Sequence, residues 1–273
     1  MNRKKIQILS IPYLIWIIGF TLIPLVFVVS KALVTPDDRL TADNLTAIFD
    51  SVHRKALITS LEVAFISSLI CILISYPAAL IIRSFRIKNR KAMIFVMILP
   101  MWMNFILRIL AIQMLLSKNG IINHLLSILG LGQIEIINTT FAIILGTVYD
   151  YLPYMLLPVL NCVLAIPDDI VEASKDLGAN RYTVLTRILL PLSLSGIGSG
   201  ITMVFVPSMT EFVIANILGG GKILLLGNII EQEFSVTMNW NLGSGLSVAL
   251  MIFVLVSTLL FGRDSGADRG YVI

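Results

Sequence analysis

Charge is what this sequence has least of. Asp, Glu, Lys and Arg make up 13% of its 273 residues, where a soluble domain carries about 25%. The apolar set reaches 57% and the mean hydropathy is +0.94. So little charge does not cover a water-facing surface, which excludes a soluble globular enzyme. Histidine and cysteine are scarce too, with two of each. His53 and His124 stand at no ligand spacing, and Cys71 and Cys162 fall inside apolar stretches where a thiol is an ordinary small side chain. Neither a disulfide framework nor a metal site follows. The 18 glycines and 10 prolines are scattered, without the bias of a disordered or collagen-like chain.

The apolar residues come in runs long enough to cross a bilayer, which takes about 20 residues at about 1.5 Å each. Six are read, at 11–30, 57–82, 92–116, 139–165, 192–217 and 242–262. The segments between them are too short for a soluble domain, so residues 1–273 form a single all-α transmembrane domain. The first run follows MNRKK and has the outline of a secretory signal, but it is longer than the roughly 7 to 15 residues of a signal core. It is expected to stay as a helix.

Basic residues set the orientation. With the N-terminus inside, the cytoplasmic segments hold Arg3, Lys4 and Lys5, then Arg83, Arg86, Lys88, Arg90 and Lys91, then Lys175, Arg181 and Arg187, and finally Arg263 and Arg269. Only Lys31, Arg39, Arg54, Lys55, Lys118 and Lys222 fall on the other side. Both termini are expected in the cytoplasm. This bias also accounts for the net charge of +4 without nucleic acid.

One connection differs from the rest. AIPDDIVEASKDLGANRYTVLTRILLPLS, residues 165–193, is polar and helical in pattern, with the coupling segment itself at 166–191. Pro167 stops the membrane helix, and Asp169 with Glu172 has the spacing of a capping box. Gly178 suits a positive φ at the end of a short helix, and Asn180 is placed to cap a second one that runs to Pro191, where the fifth span begins. From pattern alone this is either a solvated hairpin or a rigid lug for another protein to grip.

Glu172-Ala173-Ser174, then Gly178, then Ile188 and Leu190-Pro191, resembles the EAA signature of binding-protein-dependent ABC importer permeases; only Ser174 departs, where that family usually has Ala. Residues 99–123 (LPMWMNFILRILAIQMLLSKNGIIN), 147–159 (TVYDYLPYMLLPV) and 217–234 (ILGGGKILLLGNIIEQEF) resemble the permeases of spermidine/putrescine importers, of the PotB type rather than the PotC type. The resemblance implies a type I, MetI-like permease of the bacterial inner membrane, N-in and C-in, with a cytoplasmic coupling-helix hairpin. It implies as partners a second, PotC-like permease subunit, a pair of PotA-like ATPase subunits and a PotD-like extracytoplasmic polyamine-binding protein. It also implies that ATP and Mg²⁺ are bound by the ATPase partner and no cofactor by this chain. Gly219-Gly220-Gly221-Lys222 superficially looks like a phosphate loop, but Ile223 stands where Ser or Thr binds Mg²⁺, so a glycine turn at a helix exit is the better reading.

A route for polycations needs carboxylates and aromatic faces. Asp150, about 17 Å down the fourth span at helical rise, is either part of that route or the partner of Arg108, at comparable depth in the third. Tyr154 shares its helical face, whereas Tyr151 points about 100° away. Glu211, after Pro207 and Ser208, is a second route candidate. Glu62 is a third, with helix-helix hydrogen bonding or snorkelling as its alternative, and Trp102, Asn104 and Tyr76 line the route or pack. Other readings stay open: a permease for a metal, oxyanion or amino acid, or a non-transporting scaffold. A secondary transporter would show an internal repeat, and none is evident.

Overall fold

The computed structural model describes residues 12–262 apart from positions 36, 38 and 86. Arg3, Lys4, Lys5, Arg86, Arg263 and Arg269, used above for orientation, lie outside the described residues. The regular structure of the described residues is helical, with one isolated backbone bridge between Val34 and Leu40. Besides a short helical turn at Asp43–Thr46 that continues as a 3-10 turn at Ala47–Phe49, the helices are α1 (Pro12–Ala32), α2 (Ser51–Ser84), α3 (Ile87–Ile98), α4 (Phe105–Leu116), α5 (Ile121–Ile128), α6 (Thr140–Ala165), α7 (Asp168–Asp176), α8 (Arg181–Leu192), α9 (Leu194–Thr210), α10 (Val213–Gly219), α11 (Leu226–Ser235) and α12 (Trp240–Gly262). Long apolar runs become helices because in lipid each peptide group must find its partner within its own segment.

Among the described residues, five stretches are long and apolar enough to cross a membrane: α1, α2, Phe105–Ile128 with α4 and α5, α6, and Trp240–Leu259 of α12. A sixth is the pair α8 and α9, bent by 62° at Ser193. The bend falls at Ser193 rather than at Pro191, and a π-helical stretch at Leu185–Leu189 precedes it.

Two runs expected to be continuous are broken. The third, placed at 92–116, is α3 to Ile98, a 3-10 turn over Leu99–Trp102, extended backbone at Met103, and then α4. Pro100 has no N–H to give to the helical ladder. Asn104 restarts the helix, its side-chain oxygen accepting from the N–H groups of Ile106 and Leu107 at 3.0 and 3.3 Å. The fifth run, placed at 192–217, stops at Thr210, is extended at Glu211 and begins again at Val213 as α10. After α10, Gly220 and Gly221 both take positive φ, the glycine turn expected there.

The chain divides into two compact units. In the first, residues 12–57 with 229–255, Trp240 packs edge-on against Phe27 and Phe234, and Asn44 donates to the carbonyls of Ala32 and Val34. The second, residues 58–228 with 256–262, is organised along α6. The N-terminal half of α6, with Ala142, Ile143 and Ile144, packs with Ile109 and Ile112 of α4 and Ile214 and Leu218 of α10. Its C-terminal half, from Met155 to Val163, packs with Cys71, Ala79 and Ile82 of α2 and Val204 of α9.

Glycine permits the close approach of α9 to α6. A Cβ at Gly196 would stand 2.7 Å from both the Pro158 oxygen and the Cys162 Cβ, a small-residue contact of the kind that packs membrane helices. Gly196→Val should therefore cost about 1 to 3 kcal/mol through overpacking. Its thermal melt in detergent should fall clearly below that of the parent, and an unchanged melt would mean that this contact does not hold the helices together.

Candidate substrate cavity and coupling segment

The two breaks and the middle of α6 border an open cavity of about 450 Å³. Met101, Met103, Phe105 and Arg108 line it from the first break and the start of α4; Asp150, Tyr151 and Tyr154 line it from α6; Pro207, Thr210, Glu211, Phe212 and Val213 line it from the second break. It lies where α6 passes from one apolar cluster to the other. Interrupted helices are a recurrent way of exposing polar groups at membrane depth.

Arg108 and Asp150 form a salt bridge, with side chains 8% and 6% exposed. The guanidinium also donates to the Pro100 carbonyl at 3.1 Å, which ties the ion pair to the 3-10 turn of the first break. Asp150 is therefore the partner of Arg108 and a lining residue of the cavity at once. A buried pair of this kind spends most of its attraction on desolvation, but removing one partner is costly because the other charge is stranded.

Glu211 closes the second break. One oxygen, Oε1, accepts from the N–H groups of Val213 and Ile214 at 2.9 and 3.1 Å, capping α10, and Oε2 accepts from the Tyr151 hydroxyl at 2.9 Å. A carboxylate at a helix N-terminus suits the helix dipole. Tyr151 and Tyr154 lie with ring centroids 6.0 Å apart. Tyr151, expected to point away, lines the cavity because the second break wraps round a further face of α6. With both acids ionised, the titratable groups in the lining sum to one negative charge, set among two phenol rings, Phe105, Phe212 and two methionines.

The remaining candidates lie elsewhere. Trp102 is 75% exposed and packs on Phe95 with centroids 5.8 Å apart. Glu62 is exposed on α2 and does not line the cavity. Tyr76 accepts a hydrogen bond from Ser193 Oγ at 3.3 Å. Asn104 serves as the cap of α4.

The segment after α6 is a helix, a turn and a helix. Pro167 is the N-cap of α7 and no side chain caps it, so Asp169 and Glu172 do not form the expected capping box. Gly178 takes φ +84° and the Asn180 side chain accepts from the Thr183 N–H at 2.8 Å. Ser174 Oγ donates back to the Val171 carbonyl at 2.7 Å, so the extra hydroxyl is satisfied within α7. Glu172, Ala173 and Gly178 are exposed, Ile188 is partly buried, and Leu190 and Pro191 lie at the end of α8. The apolar side chains beside the turn face outward, Leu177 at 90% and Tyr182 at 73% exposure.

Arg83, read from sequence only as an orientation charge, fastens this segment. From the end of α2 it donates to the Val163 and Ile166 carbonyls at 2.7 and 2.9 Å and to the Asp168 carboxylate at 2.8 Å. One guanidinium thus joins α2, the C-terminus of α6 and the first residue of α7. Arg90 in turn donates to the Phe85 and Arg83 carbonyls.

Known proteins share both sequence and fold with this chain. The profile of the family described as binding-protein-dependent transport system inner membrane component matches residues 71–263. The chain is 35% identical over 269 residues to the spermidine/putrescine transport system permease protein PotB of Haemophilus influenzae, covering 96% of this chain and 93% of that protein. It is 32% identical over 258 residues to the protein of the same description from Escherichia coli strain K12, covering 92% and 94%. A chain of the bacterial alginate ABC transporter, solved in complex with alginate pentasaccharide-bound periplasmic protein, superposes with a TM-score of 0.82 at 18% identity, over 94% of this chain and 92% of that one. That likeness is one of fold.

Proposed function

The chain belongs to the binding-protein-dependent transport system inner membrane component family, and from that premise we propose that it forms part of the membrane pathway for polyamines of the spermidine/putrescine class. It is a multi-pass permease subunit of an ABC importer in the bacterial inner membrane. The cargo reading is carried by the cavity: a net negative lining with two tyrosine rings suits an alkyl chain ending in ammonium groups, which pair with carboxylates and with ring faces. An anionic cargo would need free basic groups, and the lining's cation, Arg108, is committed to Asp150. The names of the relatives point the same way.

In this reading both termini are cytoplasmic and α7 with α8 projects toward a pair of PotA-like ATPase subunits. Those subunits bind ATP and Mg²⁺ and carry the hydrolysis; this chain holds no cofactor. A PotC-like permease completes the pathway and a PotD-like binding protein delivers the amine. Exposed Leu177 and Tyr182 support a partner surface at the turn, and the Arg83 clamp offers a rigid link from that surface to α2 and α6. The test is uptake of labelled spermidine and putrescine by proteoliposomes holding the four components. Uptake is expected to require ATP and the binding protein, and an assembled complex that moves neither amine refutes the cargo reading.

A further inference from the structure

Resting on that reading of the cavity, the geometry points to Arg108 as a specificity residue that keeps a two-carboxylate route from becoming a site for divalent metal ions. Asp150 and Glu211 line the same cavity, and Tyr151, next to Asp150 in sequence, is hydrogen-bonded to Glu211. Two carboxylates and a phenol oxygen are hard oxygen donors of the kind that Ca²⁺ and Mg²⁺ select, and the number of carboxylate charges sets the affinity. Arg108 withdraws one of the two carboxylates by pairing with Asp150, and is itself held in place by the Pro100 carbonyl. One carboxylate charge then remains, enough for an ammonium group on an alkyl chain and too little to strip water from a divalent ion. Arg108 is 7% exposed, and its Nε has no hydrogen-bond partner among the described residues. That Nε lies beside the cavity, so the guanidinium both holds Asp150 and keeps a donor at the cavity wall.

The test compares the assembled parent complex, Arg108→Gln, and Arg108→Gln with Asp150→Asn, by binding of labelled Ca²⁺ in detergent and by spermidine uptake with and without millimolar Mg²⁺. Arg108→Gln should bind Ca²⁺ about tenfold more tightly than the parent or better, and Mg²⁺ should inhibit its uptake. The double variant, which is returned to one carboxylate, should lose both effects. A merely structural Arg108 would change yield without creating a metal response. Equal Ca²⁺ binding in Arg108→Gln and the parent overturns the inference, as does metal binding that survives in the double variant. If Arg108→Gln does not assemble, Arg108→Ala assembled in guanidinium and then exchanged into Ca²⁺ decides the same question: bound metal supports the inference, none overturns it. The Ca²⁺ measurement needs no amine, so a parent complex that transports no polyamine refutes the cargo reading separately.

Discussion

Glu211→Gln should lose ATP-driven polyamine uptake about tenfold or more while the complex still assembles. The amide keeps an oxygen for the Val213 and Ile214 N–H groups, so the cap of α10 survives. What disappears is the one carboxylate charge that Arg108 does not answer. A hydrogen bond to a charged group is worth about 1.5 to 3 kcal/mol, and each 1.4 kcal/mol is about tenfold in affinity. Asp150→Asn is the less clean variant. It leaves Arg108 buried without its counter-charge, at a cost of about 3 to 5 kcal/mol, so its loss of uptake should come with a loss of assembled complex. Uptake and size-exclusion profiles measured side by side separate the two. Undiminished uptake in Glu211→Gln would remove Glu211 from the pathway.

The second large effect is expected at the other end of the molecule. Glu172→Lys reverses a charge on the exposed surface of α7, where Glu172 makes no ion pair among the described residues. Folding stability should move by no more than about 0.5 kcal/mol. If α7 and α8 are what the ATPase grips, the variant complex should hydrolyse ATP while uptake per ATP falls about tenfold, because the Arg83 clamp no longer receives the stroke. Normal uptake per ATP would assign the segment to a plain connection.

What is legible in the sequence follows the physics of each feature. Long apolar runs mark helices whatever surrounds them, and the positive φ of Gly178 and the Asn180 cap are local chemistry that residue type announces. Asp150, Glu211 and Tyr154 stand out because carboxylates and phenols are conspicuous in lipid. The breaks do not stand out, since hydropathy is blind to a change of backbone direction between apolar neighbours. Pro100 followed by Asn104 is a usable signal, a helix stop and a helix cap four residues apart. Tyr151 is misplaced by assuming that one helical face lines the route, and Trp102 packs on Phe95 instead. Arg83 is invisible as a clamp because its partners lie 80 or more residues away.

Passage of the amine through the cavity between the two broken helices is the central claim, and a structure of the complete complex trapped with spermidine tests it most directly. An ammonium group is expected about 3 Å from the Glu211 carboxylate, with the alkyl chain against Tyr151 and Tyr154 and the Arg108 to Asp150 pair intact. Spermidine bound along a path that leaves this cavity empty would contradict it.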